Sequence, residues 1–188
     1  MTLLKKGEQS KQEIIKCAAH LFWKNGYNAT GISDILEAAA LPKGSFYYYF
    51  KTKRDLAAEV SSYYEHYLHQ LFFNDSSTAI WREFIPSMTR FMTEIALEDK
   101  HLGCPLAVVG MEIAISEPDM STHYSNSLLN LGKTFQQILI HSGIPKENSD
   151  DLSKQALAVY EGHLLLYRIT KDVRHFDLMR EALLSFCP

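Results

Sequence analysis

Apolar residues recur at spacings of three and four along nearly the whole chain, and the alternation that marks strands is absent. Ile14, Ala18, Leu21 and Phe22 form one such stripe, the buried face of a helix. Ser10 and Glu13 have capping-box spacing at its start, and Gly26 suits its end, so the first helix is expected over about 10–25. Thr30 is a candidate cap for a second helix reaching about Ala39, with Ile32, Ile35 and Leu36 inside. Ala40-Leu41 reads as a tight connection, and Pro42 fits the first turn of a very short third helix, about 43–49. Thr52 and Asp55 form a second capping pair, opening a long helix to about Phe73.

Polar breaks at Asn74–Ser77, Asp99–Gly103, Ser116–Pro118, Gly143–Pro145 and Lys171–Val173 cut the remainder into about five helices. The expected fold is all-α with about nine helices, divided into a small module over 1–52 and a larger one over 53–188. In the larger part Phe84, Met88, Phe91, Met92 and Ile95 make a stripe whose methionines adapt to varied shapes. Tyr124, Leu128 and Phe135 are candidates for an opposite wall, with Cys104 and Met111 between them in sequence. Each of these also fits an ordinary core. The last two helices carry Leu152, Ala156, Val159, Tyr160, His163 and Tyr167, then Phe176, Met179 and Leu183. Two such helices per subunit can form a four-helix interface, so a homodimer is expected there, although the same stripes could bury within one chain.

The third helix is the unusual one. At 100° per residue Phe46, Tyr49 and Phe50 share a face, leaving Gly44 and Tyr48 nearly opposite and Ser45 and Tyr47 on the flanks. Glycine costs about 1 kcal/mol of helix propensity against alanine, and exposed tyrosines gain little from burial. The face makes sense against DNA, where glycine permits close approach and serine meets a base edge. Tyrosine can pack on a thymine methyl and donate to phosphate. Lys43 sits at the N-terminal end, and Lys51, Lys53 and Arg54 follow the helix directly. Ser33, at the start of the second helix, is placed to reach a phosphate or base. The competing reading makes the tyrosines core or interface and the lysines a solvated face, and the residues alone leave both open.

Charge supports a division of labour. Residues 1–60 hold nine Lys/Arg against six Asp/Glu, an excess of +3, while 61–188 hold ten against sixteen, or −6; together they make the net −3. The three cysteines are widely spaced and read as free thiols of a reducing, cytoplasmic compartment. The first ten residues are polar and do not resemble a secretion signal, and no apolar run approaches the roughly 18 residues of a membrane span. There is no nucleophile elbow, phosphate-binding glycine loop or zinc signature, so no enzyme is expected and no cofactor is required. His101 and Cys104, three apart, lack a second pair of metal ligands.

The stretch Ile14–Leu56 resembles the TetR family of regulators. The resemblance is carried by Ala18-Ala19, Leu21-Phe22, Gly26-Tyr27, Thr30, Ile32-Ser33-Asp34-Ile35 and above all Lys43 through Lys53. It implies a three-helix DNA-binding head with a helix-turn-helix, a two-fold dimer and a helical effector-binding domain. It implies groove and phosphate contacts from Lys43, Gly44, Ser45, Tyr47 and Tyr48, with Lys53 on phosphate. With Thr30, Ser33, Tyr49 and Lys51 these make the expected DNA-binding set. Ala40 stands where the family usually has a turn glycine, and Tyr49 where histidine is common. The Gly103-Cys104-Pro105 step is similar to that of one subgroup of repressors. The implied partners are a double-stranded DNA operator, a second copy of the chain and a small-molecule effector, with no membrane. The alternative is a protein-interaction or small-molecule-binding module on the same fold without DNA binding.

Overall fold

The computed structural model describes residues 6–73 and 79–187. The expected polar break at Asn74–Ser77 lies outside the described residues. Among the described residues there are nine helices and no strand: α1 (Lys6–Asn25), α2 (Ile32–Ala38), α3 (Gly44–Tyr49), α4 (Lys53–Phe73), α5 (Trp81–Leu97), α6 (Pro105–Ile113), α7 (Pro118–His141), α8 (Lys146–Thr170) and α9 (Arg174–Leu184). The four later breaks fall between helices as expected. None of the described helices is long and apolar enough to cross a membrane.

Capping chemistry sets several boundaries. The Thr52–Asp55 pair forms as expected: Asp55 N–H donates to Thr52 Oγ1 at 3.1 Å, and Thr52 N–H donates to Asp55 Oδ2 at 3.0 Å. The Ser10–Glu13 pair does not open a helix, because α1 already runs from Lys6. Thr30 is not the cap of α2 either. Gly31 holds that position, donating its N–H to Asp34 Oδ2 at 2.8 Å.

The chain divides into two compact units, and the division differs from a cut at 52/53. The first comprises residues 1–66 and 105–127; the second comprises 67–104 and 128–188. In the first, Ile14, Ala18 and Phe22 of α1, Ile35 of α2, Phe46 of α3 and Leu56 of α4 are fully buried. α6 packs on α1 and adds Leu106, Val109 and Ile113 to this core. Each of the Ile, Leu, Val and Phe side chains among them contributes about 1.5–3 kcal/mol by leaving water. The first stretch of α7 is fastened to α4 by Tyr124, whose hydroxyl donates to the Ala57 carbonyl at 2.9 Å.

In the second unit α9 packs against both α5 and α8. Trp81 opens α5 fully buried and donates its indole N–H to the Leu183 carbonyl of α9 at 2.7 Å. A chain of edge-on and tilted rings continues from it: Trp81 to Phe135 at 5.8 Å, Phe84 to Phe135 at 6.3 Å, and Phe135 to Tyr160 at 5.7 Å between centroids.

Candidate nucleic-acid interface

The short α3 is held by its inward residues. Phe46 is fully buried, Phe50 nearly so, and the two rings lie 5.7 Å apart. Their burial fixes the rotation of the helix and turns the opposite side outward. Tyr47 and Tyr48 are then 68% and 81% exposed. Large aromatic rings left in water on a six-residue helix gain little from burial. Lys43, Gly44, Ser33 and Lys51 are exposed as well, and Ser45 is half-buried. A Cβ added at Gly44 would meet nothing within 4 Å, so the fold does not need glycine there. Tyr49 is half-buried and stands edge-on to Tyr48 at 4.8 Å.

The turn into α3 keeps its left-handed residue without glycine. Ala40 has φ 51°, and the Leu41 N–H returns to the Leu36 carbonyl at 3.0 Å.

Two members of the expected DNA-binding set are used inside the module. Thr30 is buried, its hydroxyl donating to the Gly26 carbonyl at 2.8 Å. The Lys53 ammonium donates to the carbonyls of Tyr27 at 2.9 Å and Thr30 at 3.1 Å, and lies 4.2 Å from the Tyr27 ring centre. Burial lowers its pKa, opposed by the carboxylates of Glu117 and Glu112. Lys53 thus clamps the α1–α2 turn rather than standing beside Lys43. Arg54 is likewise engaged, reaching Asp119 at 3.2 Å and Glu117 at 3.7 Å. Burial, and then Glu117, push the Tyr27 hydroxyl up to about 12. Sequence reading missed Glu112 and Glu117 as partners of this turn, and no local pattern marks them, because their contacts join distant parts of the chain.

The expected effector residues are divided between the two units. Met111 is 57% exposed and Tyr124 is core, and both belong to the first unit. Phe84, Met88, Met92, Cys104 and Phe135 are buried in the second unit, where Phe91, Ile95 and Leu128 are half-buried. An open groove between α5 and α9 is lined by Arg90, Glu94, Asp177 and Arg180 and by none of these. His101 is held inside the second unit: its Nδ1 accepts the Gly103 N–H at 3.1 Å, and its ring meets Tyr167 and Phe176 edge-on at 5.3 Å each. Burial, with Lys171 assisting, lowers its pKa to about 4.

The expected dimer stripe faces inward. Ala156, Tyr160, Tyr167, Phe176, Met179 and Leu183 are buried by this chain itself, while Leu152, Val159 and His163 are half-buried. The apolar residues that α8 and α9 leave in solvent are Leu165, Leu166, Ile169 and Leu178, with Ile169 71% exposed.

Residues 14–60 match the sequence model of the bacterial regulatory proteins of the tetR family, and residues 82–182 match that of the C-terminal domain of LmrA/YxaF-like transcriptional regulators. Over 92% of both chains, this sequence is 26% identical to an HTH-type transcriptional regulator encoded in the lacX 3' region of Lactococcus lactis. It is 25% identical to the HTH-type transcriptional regulator YxaF of Bacillus subtilis over 93% of each. A 50-residue stretch, 27% of each chain, is 46% identical to the HTH-type transcriptional regulator QacR of Staphylococcus aureus. Among solved structures, a TetR transcriptional regulator from Legionella pneumophila superposes over the whole of both chains, with a TM-score of 0.82 at 22% identity.

Proposed function

The chain belongs to the TetR family of bacterial transcriptional regulators, with an LmrA/YxaF-like C-terminal domain, and on that premise we propose that it is a cytoplasmic, ligand-responsive repressor that binds a palindromic operator as a homodimer. The observation that carries the DNA reading is the solvent face of α3. Tyr47 and Tyr48 stand in water beside Gly44, where nothing approaches within 4 Å, and Lys43 precedes the helix. Six residues are enough to enter a major groove with the N-terminal turn toward the bases. Lys43, Gly44, Ser45, Tyr47 and Tyr48 supply the groove and phosphate contacts, with Ser33 and Lys51 alongside.

A two-fold dimer sets two such helices one turn of duplex apart, roughly 34 Å. The surface that supports dimerisation is the outward side of α8 and α9, formed by Leu165, Leu166, Ile169 and Leu178. A small molecule held more tightly in a conformation with the wrong spacing lowers operator affinity by the coupling free energy.

The test is a mobility shift on DNA from upstream of the chain's own gene across a salt series. Saturable binding to one palindromic segment, weakening steeply with salt, is expected. The Lys43→Ala, Tyr47→Ala double variant should remain a dimer and lose the shift. If it still binds, the α3 face is not the reader and the interaction-module reading takes its place.

A further inference from the structure

Glu161 lies on α8 in the second unit with both carboxylate oxygens closed off from solvent, and neither has a hydrogen-bond partner. These are the buried side-chain oxygens left unsatisfied among the described residues. The Cys104 thiol, from the segment between α5 and α6, faces it and favours its charged form without the geometry of a hydrogen bond. The Tyr160 hydroxyl on the same helix is the other titratable group that feels it. Among the described residues no basic side chain shifts its titration, and Lys171 acts on His101 instead. Other acids that could meet a cationic ligand are spent or exposed. Glu112 and Glu117 serve the α1–α2 turn, and Glu94 and Glu98 lie on the surface.

An acid in this setting is costly to keep. Buried carboxylates are normally paired, and one with only a thiol, a weak donor, beside it destabilises the fold until something supplies a stronger one. The surroundings narrow what that can be. Tyr160 continues into the ring cluster of Phe135 and Phe84, three residues of the apolar interior in which a ligand's hydrocarbon would lie. An anion would be repelled, and an apolar ligand would leave the acid unsatisfied. A protonated nitrogen gives a charge-assisted hydrogen bond to the carboxylate.

We propose that Glu161 anchors the effector site of the second unit and that the group it receives is the protonated amine of a small aromatic or aliphatic ligand. This rests on the reading of the chain as an effector-responsive regulator and gives that effector a chemical class. Burial raises the Glu161 carboxyl to about 7, so the ionised fraction grows about tenfold between pH 6 and pH 8. Binding of a cation then releases a proton and tightens across that interval.

The full-length protein is titrated calorimetrically with phenylalkylamines from benzylamine to 4-phenylbutylamine, and with the matched alcohols, at pH 6 and pH 8. At least one amine should bind, about tenfold more tightly at pH 8. The alcohols should bind more weakly and without pH dependence. Glu161→Gln should bind that amine at least about tenfold more weakly and show no pH dependence. No amine binding below millimolar concentration, pH-independent binding, or equal binding by Glu161→Gln would each overturn the proposal. Should that variant not fold, proton release by the wild-type protein, read in two buffers of different ionisation enthalpy, decides alone. Mobility shifts on the same preparations separate this from the regulator reading. Intact operator binding with Glu161-independent amine binding removes only the anchor. Glu161-dependent amine binding without any DNA complex removes only the regulator.

Discussion

The Glu112 carboxylate accepts the backbone N–H of Asn28, 84 positions away in sequence, at 2.9 Å. Its Oε1 also fills the space beside Gly26, where a Cβ would lie 2.0 Å from it. With φ +92° at Gly26, a side chain there would be strained by the backbone conformation and would also have to displace the Glu112 carboxylate. Glu112→Ala should therefore destabilise the first unit by about 1 kcal/mol, and Glu112→Gln, which keeps an acceptor, by less. Gly26→Ala should cost more than either. Urea midpoints of the three variants check the order, and an unchanged midpoint for Gly26→Ala would mean that the turn is not held as described.

Gly44 gives the opposite pattern. Nothing lies within 4 Å of an added Cβ, so Gly44→Ala should fold normally and gain up to about 1 kcal/mol of helix stability. Operator affinity should nevertheless fall at least about tenfold, because the methyl enters the DNA interface proposed for this face. Thermal melts and mobility shifts on one preparation read both effects. Undiminished affinity would remove Gly44 from the interface.

Ala40 holds φ 51° in the α2–α3 turn, a region that costs an alanine about 1–2 kcal/mol. Ala40→Gly removes the strain and adds backbone entropy to the unfolded chain, with a net gain of about 1 kcal/mol at most. The melting temperature should rise by about 2–4 °C. A drop would show that the turn relaxes away from this conformation.

Two buried titratable groups of the second unit, Glu161 and His101, pull in opposite directions with pH. Glu161 binds its proton more tightly folded, about 7 against 4.5, so its contribution is full below 4.5 and is lost as pH rises through 7. His101 binds its proton less tightly folded, about 4 against 6.5, so its contribution is full above 6.5 and is lost as pH falls toward 4. Glu161→Gln should accordingly gain on the wild type by about 2–3 kcal/mol between pH 5 and pH 8. A stability difference independent of pH would show that Glu161 finds a partner or water in solution.

Helices α8 and α9 distinguish packing from assembly. Phe176→Ala, on the buried side, should cost about 3–5 kcal/mol of fold stability. Ile169→Glu with Leu178→Glu, on the exposed side, should leave each subunit folded and give a monomer. Light scattering separates the outcomes, and a dimer surviving the double change would place the interface elsewhere.

Local pattern determined much of this protein. The 3.6-residue period placed the helices, the four breaks between described helices and the outward face of α3, because burial of Phe46 and Phe50 leaves Gly44, Tyr47 and Tyr48 only one direction to point. The Thr52–Asp55 cap was legible for the same reason, since both halves of that interaction lie within one turn.

Tertiary structure decided what covers each face. A stripe such as Ala156, Tyr160 and Tyr167 says that something apolar lies against it, but not whether that is this chain or a second copy; here it is this chain. Thr30 and Lys53 look like DNA ligands in sequence and are spent on carbonyls of the α1–α2 turn. Glu112 fastens that turn across 84 positions, and Glu161 is an ordinary helix acid until the fold closes over it. Periodicity records which residues share a side of one element. Pairing and desolvation depend on which elements meet, and long-range packing alone settles that.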